Sequence, residues 1–424
     1  MRNQLQTRNQ KSLIKDQSLF LNIFWVGFII FQIAGTLETP GNLNIKILQA
    51  FQGLGLILIF TSVIKLKLFK IENTYLRVIF TIYMIWLVIV IARGIEFPPS
   101  YDFIKTTLIT GGGNDGLVYI APLIILFPRN AIFYKKLFEV IIFFGVIYLM
   151  LDVMFIKNLL HSGEDKLSLG IVEALSGLSI PVAFILLTYL YHSNKKNLLA
   201  IGIILITLLF AIIRARRGLI IITSSVIIFS FLLYFFHSKR KIITIYLVIL
   251  ITVLGILYAS NIYNINNSKI FSLLVERGTE DTRTGVELYF YDDMKEIDWI
   301  IGRGMGGEYY CPDITGDQIT NYRNLIETGY LQIILKGGII SLGLLLLMII
   351  PAFIKGIFFS KNLLSTAAGI WILVFMISSY PAIQTWFSLN YFLVWISIGV
   401  CFSKKIRNMT DDEIKFELQS AKKI

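Results

Sequence analysis

Twelve mostly apolar runs recur along this chain, near 18–35, 45–64, 75–93, 110–128, 137–156, 168–191, 198–214, 218–236, 242–260, 328–350, 363–380 and 385–402. About 20 apolar residues in an α-helix are enough to cross the hydrocarbon core of a bilayer. The runs are continuous rather than alternating, which argues against a β-barrel. Their number excludes a soluble enzyme and a secreted disulfide scaffold. Composition agrees: 56% of the 424 residues are hydrophobic and 16% are charged, where a soluble domain is nearer one quarter charged. The sequence therefore predicts an all-α polytopic membrane protein of about twelve transmembrane helices with one long external loop. The fourth run is the least regular, because Gly111, Gly112, Gly113, Asn114 and Asp115 interrupt its start.

An even number of spans places both termini on one side, and basic residues say which. Of the 39 lysines and arginines, 24 fall on the face shared with the termini and 14 on the other, with Lys336 inside the tenth run. The first face is thus expected to be cytoplasmic. The net charge of +12 then reflects orientation in the membrane rather than nucleic-acid binding. The first 17 residues are polar and basic and have no small-residue cleavage site, so they read as a cytoplasmic tail before a retained helix. The expected organisation is helices one to nine over 1–260, an external segment over 261–327, helices ten to twelve over 328–402, and a charged cytoplasmic tail over 403–424. Cys311 and Cys401 fall on opposite faces in this scheme and are not expected to pair.

One short external turn breaks the charge pattern: Arg214-Ala215-Arg216-Arg217-Gly218, between runs seven and eight. Arginine at membrane depth costs roughly 2.5–3.5 kcal/mol on insertion scales. One reading is a snorkelling anchor at a helix end. The other is an anion site, because guanidinium forks suit a diphosphate at headgroup level. On a continuous helix Arg214 and Arg217 would share a face.

The external segment 261–327 is too long for a passive connection. It holds twelve carboxylates against six basic residues, together with Tyr289, Phe290, Tyr291 and Trp299, which argue for folded structure. The spacing of Val286, Tyr289, Phe290 and Met294 predicts a short helix within 284–299. Gly302-Arg303-Gly304-Met305-Gly306-Gly307 predicts a tight turn, and with no strand before it a dinucleotide fold is not indicated. The histidines His161, His192 and His237 all lie outside the segment, and the neighbours Asp292 and Asp293 would point apart on a helix. No metal site and no cofactor are expected. Glu327 stands where the chain returns to the membrane. It can be a base accepting a proton from a hydroxyl or an acid favoured at a helix start; the residue types alone leave both open.

A basic R-x-x-R-G turn (Arg214 to Gly218), a W-x-x-G-x-G-x-G-like turn (Trp299 to Gly306) and a return motif (Glu327-Thr328-Gly329-Tyr330-Leu331-Gln332 through Lys336-Gly337-Gly338) occur in that order. In order and placement these resemble the bacterial O-antigen polymerase and O-antigen ligase family, the Wzy-type polymerases and their ligase relatives, over roughly 210–345. The resemblance implies a GT-C-like membrane glycosyltransferase in the bacterial inner membrane. Its substrate would be an oligosaccharide on undecaprenyl diphosphate, handled on the external face. It also implies membrane lipid and a chain-length regulator protein as partners, with no nucleic acid and no cofactor. In this chain it would make Glu327 the base and Arg217, with Arg214, the group that neutralises the leaving diphosphate. Arg216, Arg277, Arg283, Arg303 and Arg323 would hold phosphate or sugar, and Tyr309 and Tyr330 would contact sugar rings. Ligases of the family usually carry histidine where Glu327 stands, so the polymerase is the favoured expectation. The ligase, and a lipid-linked oligosaccharide flippase or transporter, are the alternatives. A transporter would be expected to show two related halves, and none is apparent here.

Overall fold

The computed structural model describes residues 2–41, 43–66, 71–95, 97–109, 116–160, 166–237, 284–312, 321–383 and 385–421. Within them the helices are α1 (Arg2–Glu38), α2 (Ile45–Lys65), α3 (Thr74–Ala92), α4 (Tyr101–Leu108), α5 (Ala131–Met154), α6 (Ile156–Leu159), α7 (Lys166–Ser179), α8 (Ala183–Leu187), α9 (Asn194–Ile213) and α10 (Arg217–His237). After the external segment begins come α11 (Thr284–Asp293), α12 (Glu296–Ile301), α13 (Gly329–Phe358), α14 (Leu363–Ser378), α15 (Leu389–Phe402), α16 (Lys404–Asn408) and α17 (Asp411–Ser420). Among the described residues the extended structure is one antiparallel strand pair, here called the hairpin, β1 (Tyr309–Tyr310) with β2 (Tyr322–Arg323).

Helices start where a polar side chain interrupts an apolar run. Asn73 Oδ1 accepts from the Leu76 amide at 2.9 Å, Asn130 Oδ1 from Phe133 at 2.9 Å and Asn362 Oδ1 from Ser365 at 2.9 Å. Each cap satisfies an amide that the first helical turn would leave without a partner. Among the described residues eight helices are long and apolar enough to cross a membrane. Ile57, Val88, Met150, Val153, Leu198 and Phe236 stand exposed on them, as lipid-facing side chains do. The protein is an all-α polytopic membrane protein.

Three expected spans differ. Among the described residues, the run at 110–128 is helical over Gly116–Leu126, as two 3₁₀ turns, Gly116–Tyr119 and Ala121–Leu126, while 110–115 lie outside the described residues. Pro122 near the start of the second removes a donor there. Eleven residues at about 2.0 Å each reach about 22 Å, short of a bilayer. The last two runs give helices of 16 and 14 residues, about 24 and 21 Å long. Both are buried on nearly every side, so α14 and α15 form the centre of the bundle. Phe24, Phe28, Phe387 and Phe392 interlock around α15, with the Phe28 and Phe392 rings 4.8 Å apart. The ninth run, 242–260, lies outside the described residues.

The sixth run is also broken, at Ile180–Val182, where Pro181 interrupts α7 and α8. At its start, α1 is helical from Arg2, well before the apolar run begins. The C-terminal tail is docked rather than trailing. Asn362 Nδ2 donates to Ile406 O at 2.7 Å and Met409 O at 2.9 Å, while Asp411 accepts from the Tyr191 hydroxyl and from the Leu363 amide. Helix α17 opens with a reciprocal cap between Thr410 and Glu413 and buries Ile414.

The described part of the segment expected to be external, 284–312 and 321–327, builds a small unit of its own over the start of α13. Phe290 and Tyr309 are fully buried in it, with Val286, Met294, Cys311 and Ile326. Cys311 and Cys401 are both buried free thiols, Cys401 in α15. Helix α13 breaks from helical geometry at Gly338, whose φ and ψ are 69° and −175°. The glycine turn docks into that break. The Arg303 amide donates to Leu335 O at 2.7 Å and the Gly304 amide to Lys336 O at 2.9 Å. The Met305 amide reaches Val90 O on α3 at 3.0 Å. Arg93, at the end of α3, clamps the same turn through Ile301 O at 2.7 Å and Gly302 O at 2.6 Å.

Candidate active site

Two helix starts converge. A methyl group on Gly218, at the start of α10, would stand 2.9 Å from Ala382 Cβ. One on Gly329, at the start of α13, would stand 2.9 Å from Ala382 O and 2.8 Å from Ser379 O. The absence of side chains at these two glycines lets both helices press on one turn, 379–382. That brings the arginine-rich turn and the return motif, more than a hundred residues apart in sequence, to the same end of the bundle. The positive ends of two helix dipoles meet there as well.

The arginine turn does not continue a helix. Helix α9 stops at Ile213, Ala215 takes a left-handed φ of 50°, and α10 restarts at Arg217. The expected continuous helix through Arg214 and Arg217 is therefore replaced by a turn. Arg214 is fully buried, and Arg216 and Arg217 are partly exposed. Arg216 Nη1 meets Glu173 Oε1 of α7 at 3.0 Å. The charge of Glu327 also reaches Glu173, which places Glu173, Arg216 and Glu327 in one electrostatic neighbourhood. Glu173 was missed by the sequence reading, although a lone carboxylate inside an apolar run is a signal of function.

The return motif is held in place by several of its polar groups. Gln332 reaches back along α13, accepting from the Ile326 amide at 2.9 Å and donating to Asn324 O at 3.3 Å. The Thr328 hydroxyl donates to Glu287 of α11, and the Tyr330 hydroxyl to Met376 O of α14. Glu327 itself is exposed on the pinned backbone just before the helix. This is a rigid mount for a carboxylate.

Other expected site residues are placed differently. Arg303 is enclosed by the protein's own acids: its guanidinium donates to Asp298 Oδ2 at 2.9 Å, to Glu308 O at 2.7 Å and to the Asp293 side chain and carbonyl. Burial works against its charge, but the hydrogen bonds and charges of Asp293 and Asp298 outweigh that and raise its pKa. Arg303 therefore braces this unit from within. Tyr309 is core: its ring packs on Phe290 at 5.6 Å, its hydroxyl donates to Leu325 O at 3.3 Å, and burial raises its pKa. A ring so enclosed cannot stack on a sugar. Tyr330 is tied to α14. Arg323 is paired with Tyr309 across the hairpin and is partly exposed. Arg277 and Arg283 lie outside the described residues.

Exposed rings stand elsewhere on the same unit. Tyr310 and Tyr322 pair across the hairpin at 5.6 Å, and Tyr291 stacks on Trp299 at 5.9 Å with the ring planes 6° apart. Glu287 and Tyr380, the latter in the 379–382 turn, both act on Tyr291, so this stacked pair borders the converging helix starts. Among the described residues no group of three or more His, Cys, Asp or Glu side chains could hold a metal ion.

No protein-family model matches the chain, and no match is found among curated proteins or solved structures.

Proposed function

We propose that this protein polymerises lipid-linked oligosaccharide repeat units. It would transfer a glycan from undecaprenyl diphosphate to a hydroxyl of another lipid-linked unit on the external face of the bacterial inner membrane, with both termini cytoplasmic. The observation that carries this reading is the meeting of Arg217-Gly218 and Glu327-Thr328-Gly329 at Ala382. That contact supports the reading because it brings a carboxylate-bearing segment, an arginine-bearing turn and two helix N-termini to one end of a membrane bundle.

In this mechanism the Glu327 carboxylate accepts the proton of the acceptor hydroxyl as that oxygen bonds to the anomeric carbon. The anomeric carbon–oxygen bond to the diphosphate breaks, and its electron pair leaves on the lipid diphosphate. Negative charge developing on that leaving group meets Arg217 and two helix N-termini. Glu173 holds Arg216 by an ion pair, so Arg216 would lend its field to the leaving group, and the buried Arg214 would add its charge. Arg323 and the exposed rings Tyr291, Tyr310 and Tyr322 suit sugar hydroxyls and faces. A chain-length regulator would be a partner of the same external surface.

The test is a gel of surface polysaccharide from the parent strain and from one lacking this protein. Collapse of the ladder to single repeat units that still reach the surface supports polymerisation. Single units confined to the lipid carrier point to export, and a full-length polymer that never reaches its final acceptor points to a ligase.

A further inference from the structure

Lys336 is an ammonium group on a membrane helix, 5% exposed, and a cation at such depth is costly unless something compensates it. Its Nζ donates to Gly307 O at 2.8 Å. An ammonium has three N–H donors, and among the described residues that carbonyl is the only partner. The one carboxylate whose charge reaches it, Glu308, makes no ion pair with it. The remaining donors are not lost in packing, because Lys336 lines a cavity of about 70 Å³ between α3, α13, α15 and the residues Ile383, Thr385 and Trp386.

The rest of the lining is rich in donors. Tyr83 and Tyr391 contribute hydroxyls that bond to one another. Ser341 Oγ accepts from Trp86 Nε1 at 2.9 Å, which leaves its own proton to give. Gln332, one turn before Lys336, fixes the cavity wall by holding the backbone of the return motif, and Leu325 lines the cavity just before Glu327. A buried cation, hydroxyl donors and no carboxylate make a site for negative charge. The space holds about two waters or one carboxylate or phosphate head.

We infer that the Lys336 cavity binds a small oxyanion, the carboxylate of an acidic sugar or a phosphate. This assignment stands on the cavity alone and does not require the polymerisation reading. A bound oxyanion takes the free ammonium donors and the Ser341 hydroxyl proton, completing a site that the protein leaves half satisfied.

The test uses the full chain in lipid nanodiscs at constant ionic strength and pH 7, titrated with glucuronate, glucose or inorganic phosphate, with tryptophan fluorescence and thermal midpoint as readouts. Trp386 lines the cavity and reports on filling. We expect a saturable response to glucuronate, to phosphate or to both, and none to glucose. The stronger of the two anions identifies the source as a sugar carboxylate or a phosphate. Lys336→Gln keeps an N–H for Gly307 O and removes the charge, so affinity should fall at least tenfold with the midpoint little changed. The proposal is overturned if wild-type protein shows no saturable response to either anion, if glucose responds equally, or if folded Lys336→Gln binds as wild type does.

Discussion

Gly302 and Gly338 meet backbone to backbone, and neither position has room for a side chain. A methyl group on Gly302 would lie 2.6 Å from the Gly338 nitrogen, and one on Gly338 would lie 2.1 Å from Ile300 O. Both have φ near +68° with an extended ψ, a region essentially restricted to glycine. This contact seats the glycine turn in the broken helix and so fixes the 284–312 unit on the helical bundle.

Replacing either glycine should therefore do more than lower helix content. Gly302→Ala and Gly338→Ala are each expected to cost about 1–3 kcal/mol from backbone strain, with more from the steric overlap. Gly343→Ala, on the same helix with open space around it, should be neutral or slightly stabilising, since alanine favours helix by up to ~1 kcal/mol. Thermal midpoints of the three variants in one detergent check this. Equal midpoints for all three would remove the role of the contact.

Arg303 should matter for order rather than for chemistry. Its side chain and those of Asp293 and Asp298 are 17–27% exposed, so removing the cation leaves two half-buried acids without their partner. Arg303→Met should destabilise the unit by about 1–3 kcal/mol. Hydrogen exchange over 284–312 should rise, while the membrane helices stay protected. Unchanged exchange with lost activity would instead return Arg303 to the ligand.

Arg216 and Arg217 should separate. Glu173 in the pair is 61% exposed, so the Arg216–Glu173 bond itself is worth little, about 0–1 kcal/mol. We expect Arg216→Gln and Glu173→Gln to reduce polymer formation by similar partial amounts and the double variant to lose little more. Arg217→Gln should abolish it. Rates of polymer formation across the four variants check the order.

His192 sits between α8 and α9, with its Nε2 2.9 Å from Thr188 Oγ1 and its ring on the edge of Phe138. Burial, then the charge of Lys196, holds its pKa down to about 3, whereas the unfolded chain titrates near 6.5. The folded state keeps it neutral, so its contribution is complete above about pH 6.5 and is lost as pH falls toward 3. The thermal midpoint of wild type should drop more between pH 7.5 and 5 than that of His192→Gln. An identical drop in both would mean that His192 is not what titrates.

Much of the bundle was legible in the apolar runs, because the need to fill a bilayer is written directly in run length. The departures have local causes. Pro122, Pro181 and Gly338 change the backbone without changing hydrophobicity, so the 3₁₀ geometry of 116–126 and the break in α13 were not visible in the apolar pattern. The long-range pairings were not legible. Nothing in the spacing of six basic and twelve acidic residues says that Arg303 meets Asp293 and Asp298. Tyr309 and Tyr310 are neighbours of the same type, and only the strand alternation buries the first and exposes the second. Lys336 read as one charge inside a run until the fold surrounded it with a cavity.

The most direct test of the central claim uses purified protein in liposomes with undecaprenyl-diphosphate-linked repeat units and no nucleotide sugar. Wild type is predicted to yield chains of two or more repeats and to release undecaprenyl diphosphate. Glu327→Gln and Arg217→Ala should yield neither, at wild-type thermal midpoints. Folded wild-type protein that leaves single repeats unjoined, or variants that join them at the wild-type rate, would contradict it.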